Sequence, residues 1–196
     1  MLEDNLELRR SIYELKNELP VSDEKLVQLV EKCILNCPSA FNAQSARVVI
    51  LFGDKHSTYW QMVAEGLAKA AAPEKREAAL KRLQNFADAY GTIVFYEDTD
   101  VAEEMVKKYA DYAMAIENWL QQSNAILEYM IWQCLAENKI GASLQHYGNL
   151  AEAEFKKRFD LPTRWQWVAE MPFGAIGKSA EKKDFAPIET RLKVLK

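Results

Sequence analysis

Apolar residues recur at helical spacing in two stretches near the start of the chain, residues 2–15 and 22–37, the second carrying Leu26, Leu29, Val30, Cys33 and Ile34. Ser22 followed by Asp23 and Glu24 supplies a helix start, and Pro38 ends the helix. Residues 38–45 then read as an irregular polar loop leading to a strand over 47–52, which Gly53-Asp54 closes. Two helical stretches follow, about 57–71 and from Pro73 to 89, and residues 91–96 read as a second strand, both strands central. The longest helical pattern runs from about 100 to 138 through Met105, Tyr109, Ile116, Leu120, Ile126, Tyr129 and Leu135. Its later part is apolar around most of its circumference, as in a buried helix or one at a subunit interface. Residues 141–148 read as strand and loop, 150–159 as a short helix and 165–177 as a final strand. The charged tail, 178–196, carries Phe185, Ile188, Leu192, Val194 and Leu195 at intervals. That is too apolar for plain disorder and suits a segment wrapped on another subunit.

Strands separated by long helical connections give an α+β, or α/β layered, fold. The 196 residues, 49% of them hydrophobic, fall within the range of one domain spanning 1–196. A formal net charge of −4 argues against a nucleic-acid partner, because polyanion binding needs a basic face. A local basic cluster can still hold one small phosphate. The first residues, Met1-Leu2-Glu3-Asp4, are acidic where a signal peptide is basic, and no apolar run is long enough to span a membrane. A cytoplasmic location without membrane attachment is expected. Three cysteines, Cys33, Cys37 and Cys134, make neither a disulfide framework nor a metal pattern. Packing as small apolar residues is the better reading, with a redox role conceivable for Cys33 and Cys37, one helical turn apart.

The familiar catalytic signatures are missing. His56 and His146 lie in no metal-ligand spacing, and with seven glycines there is no Walker loop or dinucleotide fingerprint. Three segments stand out instead: Arg9-Arg10-Ser11, the loop from Pro38 to Arg47, and Gly177 to Arg191. Each supplies donors for an anion or an amide, since arginine offers a planar fork of N–H groups to phosphate or carbonyl oxygen. Taken singly, each also reads as helix-end charge, turn or solvated surface.

In this order along nearly the whole chain, the segments resemble the nitroreductase family. Arg9-Arg10-Ser11-Ile12-Tyr13 is similar to the family's Arg-Arg-Ser or Arg-His-Ser element, and Pro38-Ser39-Ala40-Phe41-Asn42-Ala43-Gln44 to its Pro-Ser-x-x-Asn-x-Gln loop. Gly174-Ala175-Ile176-Gly177-Lys178, with Thr190-Arg191, is similar to its C-terminal glycine, basic residues and tail. Pro172-Phe173-Gly174 and the Phe185, Pro187, Arg191 spacing resemble the short bacterial and fungal subgroup. The sequence departs from the family at Tyr13, where many relatives are basic, at Ser45-Ala46-Arg47 in place of Pro-Trp, and at Gly141 to His146 in place of a more glycine-rich stretch.

The resemblance implies a central mixed, mainly antiparallel sheet flanked by helices, a C-terminal tail exchanged in a homodimer, and FMN bound across the dimer interface. Arg9, Arg10 and Ser11 would approach the FMN phosphate, ribityl chain and pyrimidine edge, with Tyr13 a phenolic donor or a packing residue and Lys178 and Arg191 neutralising the phosphate. Pro38, Ser39, Asn42 and Gln44 would come from the other subunit, and Leu144, Gln145 and His146 would line the ring, His146 also reading as an ordinary packed or surface histidine. The implied activity is NAD(P)H-dependent, ping-pong reduction of nitroaromatics, quinones or similar small electrophiles. The flavin supplies the chemistry, so no catalytic side chain or metal is expected. A non-enzymatic flavin-binding sensor on the same fold, and a cofactor-free interaction protein, are the competing readings.

Overall fold

The computed structural model describes residues 2–196. Its centre is strand β3 (Gly91–Asp98), buried at every position because strands pair with it on both edges and helices cover both faces. β2 (Ala46–Phe52) and β5 (Trp165–Ile176) flank β3 antiparallel, and β1 (Leu15–Lys16) and β4 (Ile140–Ala142) both pair antiparallel with β5. A parallel bridge between Ser11 and Ala142 makes the sheet mixed. β2 is thus an edge strand in the chain, a correction to the reading of both early strands as central.

The alternation along β3 divides the core. Ile93 and Phe95 face α2 (Asp23–Asn36) and α6 (Ala113–Glu137), packing with Leu26, Val30, Leu127 and Ile131. Val94 and Tyr96 face α3 (Gly53–Ala70), α4 (Pro73–Ala87) and α7 (Glu152–Arg158), packing with Tyr59, Trp60, Phe86 and Phe155. Period-two burial on the strand and helical spacing on α2 and α6 are therefore two sides of one packing problem. Ser22 caps α2 by accepting the Lys25 N–H at 3.2 Å, and the chain turns extended at Cys37 ahead of Pro38.

Two helical expectations are corrected. The first helix, α1, covers only Leu2–Asn5. Beyond it the Ile12 N–H bonds the Ala142 carbonyl at 2.9 Å and Leu15 pairs with Ile176, so the backbone from Ser11 to Lys16 joins the sheet and buries Ile12 and Leu15. The long pattern from 100 to 138 is broken into α5 (Thr99–Lys108) and α6. Tyr109 adopts φ −126° and ψ 57°, and its ring stacks on Phe41 with centroids 4.1 Å apart. That contact to a distant loop outweighs continued helix. The tail beyond Gly177 has no regular secondary structure except for a short turn at Ile188–Thr190, and Phe185 and Leu195 are 74% and 83% exposed. No helix among the described residues is long and apolar enough to cross a membrane.

Candidate functional site

Segments from opposite ends of the chain meet in one cavity of about 520 Å³, lined by Arg9, Arg10, Ser11, Tyr13, Glu14, Asn85, Lys178, Ser179, Ala180, Glu181 and Lys183. The sheet brings them together. β1 pairs with the end of β5, so the stretch before β1 and the stretch after β5 emerge side by side, and Glu14 accepts the backbone N–H of Gly177 at 2.9 Å. The Arg10 guanidinium donates to the backbone carbonyl of Glu181, which fixes the cavity lip. The Arg9 guanidinium lies over the Trp132 ring at 4.3 Å from its centroid, held by a cation–π contact with α6. Lys178 is 3.8 Å from the Glu181 carboxylate, both exposed. Four cationic side chains face two carboxylates here, a net positive lining in a chain of net negative charge.

The loop after α2 builds a second, shallower cavity of about 280 Å³ from Pro38, Ser39 and Ala40 with Trp119, Gln122, Ser123 and Ile126 of α6. Its backbone is unusual. Phe41, Asn42 and Gln44 take φ of 52°, 55° and 52°, a region that costs non-glycine residues energy and needs local compensation. Compensation comes from three bonds. The Ser39 hydroxyl accepts the Gln44 N–H at 3.0 Å, the Ser123 hydroxyl accepts the Ala40 N–H at 3.2 Å, and Arg47 donates to the Gln44 carbonyl at 2.7 Å. Arg47 is itself held by Asp98 at 3.0 Å. Asn42 and Gln44 are left exposed on this loop.

The remaining expected site residues lie elsewhere in the chain. Leu144 packs partly buried against the α2–α6 core. Gln145 is buried, exchanges backbone bonds with Glu170 at 2.7 and 3.1 Å, and turns its amide to the Ser143 hydroxyl at 3.1 Å. His146 is exposed, edge-on to Trp167. Arg191 follows the short turn in the tail, away from the lining of both cavities. Sequence reasoning missed Asn85, Glu14 and Lys183. Asn85 carries no signal beyond one more polar residue on α4, whereas Glu14 follows the Arg9 segment closely and Lys183 lies within the singled-out Gly177 to Arg191 stretch without being named as a site residue. A larger cavity of about 620 Å³ between α5, α6 and the start of β5 contains none of the singled-out residues.

His56 is accounted for by packing. It is buried, and because the Ala87 carbonyl 3.1 Å from Nε2 can only accept, Nε2 carries the proton and Nδ1 accepts from the Thr92 hydroxyl at 2.9 Å. Burial lowers its pKa and keeps it neutral.

Residues 6–175 match the nitroreductase family. The chain belongs to that family. It is 30% identical over 179 residues to nitroreductase FRM2 of Saccharomyces cerevisiae, covering 90% of this chain and 89% of the relative. Among solved structures it is similar to nitroreductase CinD from Lactococcus lactis in complex with nicotinic acid, with TM-score 0.91, 33% identity and both chains covered completely. The same enzyme in complex with 4-nitrophenol gives TM-score 0.87 at 34% identity, again over both complete chains. A nitroreductase from Desulfitobacterium hafniense with bound FMN shares the fold at TM-score 0.73 and 21% identity, over the whole of both chains. The fold is therefore nitroreductase-like and the family is one of oxidoreductases.

Proposed function

We propose that this chain is an FMN-dependent NAD(P)H oxidoreductase that reduces nitroaromatics, quinones or similar small electrophiles by a ping-pong mechanism, working as a homodimer. The observation that carries the reading is the convergence of Arg9, Arg10, Ser11, Tyr13 and Lys178 on one net-positive cavity, from stretches roughly 170 residues apart. A guanidinium pair, a hydroxyl, a phenol and an ammonium form a donor set suited to a phosphate and to carbonyl oxygens. The residues present fit FMN.

Arg9, Arg10, Ser11 and Lys178 would hold its phosphate, ribityl chain and pyrimidine edge, and Arg191 would add charge from the exchanged tail. Pro38, Ser39, Asn42 and Gln44 of a second copy would border the ring, with Leu144, Gln145 and His146 along it. When bound, FMN supplies the hydride chemistry, taking electrons from a reduced nicotinamide and passing them to the acceptor. The chain's own work is electrostatic and steric. Its cations stabilise developing negative charge, as preorganised donors do for any anion. Donor and acceptor in turn use one space, which makes the kinetics ping-pong. CinD, with 4-nitrophenol bound, supports an aromatic nitro compound as acceptor.

The purified protein is expected to show a flavin spectrum that NADH or NADPH bleaches and that a nitro compound or quinone restores. A colourless protein that takes up no FMN overturns the cofactor assignment, and a flavin that bleaches without reoxidation by such acceptors makes the chain a sensor.

A further inference from the structure

The sequence reads the three cysteines as packing residues, with a redox role conceivable for Cys33 and Cys37. The fold pairs Cys33 differently. Its thiol on α2 donates to the sulfur of Cys134 on α6, with the two Sγ atoms 3.4 Å apart although 101 residues separate them. Cys37, just past the end of α2, instead donates to the Ser123 carbonyl at 3.7 Å. Cys33 is 3% exposed whereas Cys134 is half-buried, so Cys134 is the more accessible residue of the pair.

We propose that Cys134 and Cys33 form a peroxide-oxidised modification site that closes to a reversible disulfide between α2 and α6. The Cys134 thiolate attacks one oxygen of hydrogen peroxide, the O–O bond breaks, and hydroxide leaves with a sulfenic acid on Cys134. Cys33 sulfur then attacks the Cys134 sulfur, the S–O bond breaks, and the departing hydroxide takes the Cys33 proton as water. The first hydroxide recovers the proton that Cys134 gave up, so two thiols lose two electrons and one peroxide becomes two waters.

The surroundings favour this division of labour. The hydrogen bond from Cys33 lowers the Cys134 pKa to about 7 against the opposing effects of burial and of Glu137, with Lys32 assisting. The same bond, with burial, pushes the Cys33 thiol up. Closing from 3.4 Å to bonding distance takes about 1.4 Å, within reach of side-chain adjustment. The bond would staple α2 to α6, and Ser123 of α6 accepts the Ala40 N–H of the Pro38 loop.

The test is hydrogen peroxide treatment of the purified full-length protein, alkylation of free thiols, proteolysis and mass spectrometry. A peptide pair joining Cys33 to Cys134 with two hydrogens lost is expected, reversed by dithiothreitol, retained in Cys37→Ser and absent in Cys134→Ser. A Cys33–Cys37 link, an intermolecular link, accumulation of sulfinic acid on Cys134 without cross-linking, or full alkylation of all three thiols after peroxide would each overturn the proposal. The wild-type measurement decides between these outcomes even if a variant fails to fold.

Discussion

The carboxyl of Glu170, fully buried on β5, accepts the backbone N–H of Tyr147 at 2.6 Å. Glu170 thereby ties the turn after Leu144-Gln145-His146 to the central sheet, alongside the backbone bonds it exchanges with Gln145. The buried Tyr59 hydroxyl and Trp167 indole N–H lie beside the same carboxyl and favour its charged form.

Burial raises the Glu170 pKa from 4.5 to about 7, against the opposing bonds from Tyr147, Tyr59, Trp167 and Gly148. A raised folded value means that the stability it contributes is complete below the unfolded value, near 4.5, and is lost as pH rises through about 7. The shift corresponds to about 3 kcal/mol. Glu170→Gln keeps an oxygen for Tyr147 and removes the titration, so its urea midpoint should vary less than that of wild type between pH 5 and 8. Glu128, raised to about 7 by burial, contributes slope of the same sign, and His56, lowered by burial, the opposite sign below its ordinary 6.5. The informative quantity is therefore the difference between variant and wild type, and equal pH slopes would refute the role given to Glu170.

Arg10→Ala removes both a cation from the basic cavity and the guanidinium that grips the Glu181 carbonyl. Hydrogen bonds from charged groups contribute about 1.5–3 kcal/mol, so FMN affinity measured by fluorescence titration should fall by roughly 10- to 100-fold. Arg10→Lys should recover only part of the loss, because an ammonium cannot reproduce the planar fork. Full FMN occupancy and unchanged turnover in Arg10→Ala would contradict the assignment.

Ser123→Ala tests the wall of the second cavity. The hydroxyl accepts from Ala40 and donates to the Trp119 carbonyl at 2.8 Å, so the variant strands a backbone N–H in a loop already carrying three left-handed residues. A loss of about 1–3 kcal/mol is expected in urea unfolding. Faster hydrogen exchange at Ala40 and Asn42 should accompany it, and unaltered exchange there would show that the loop is held by other contacts.

Much of the fold was legible because local signals and burial agree. In α2 the Ser22 cap, the Leu26, Val30 and Cys33 stripe and Pro38 all indicate one helix, and the structure has it. The misreadings occur where a distant partner decides. Residues near Ile12 fit a helical period as well as a strand until Ala142 and Ile176 present free backbone edges to them. Tyr109 reads as another helical apolar residue until Phe41, 68 positions earlier, stacks on it. The basic cavity was legible in part: Arg9-Arg10-Ser11 and Lys178 carry recognisable chemistry, whereas Asn85 acquires meaning only from where α4 ends.

Removal of residues 185–196 tests the proposed exchange of the tail. Phe185, Ile188, Leu192, Val194 and Leu195 are all exposed in the single chain, an apolar surface that gains nothing from water and everything from a partner. Tyr112, Ile126 and Tyr129 on or beside α6 are similarly uncovered. If the tail wraps a second copy, the truncated protein should sediment with a larger monomer fraction and a dimer constant weakened at least about ten-fold, consistent with losing several buried apolar side chains at about 25 cal/mol per Å². On the proposed shared site, FMN retention should fall with it, because that reading takes charge from Arg191 and a ring border from the Pro38 loop of a second copy. Truncated protein that remains dimeric and fully loaded with FMN would show that the tail serves neither purpose.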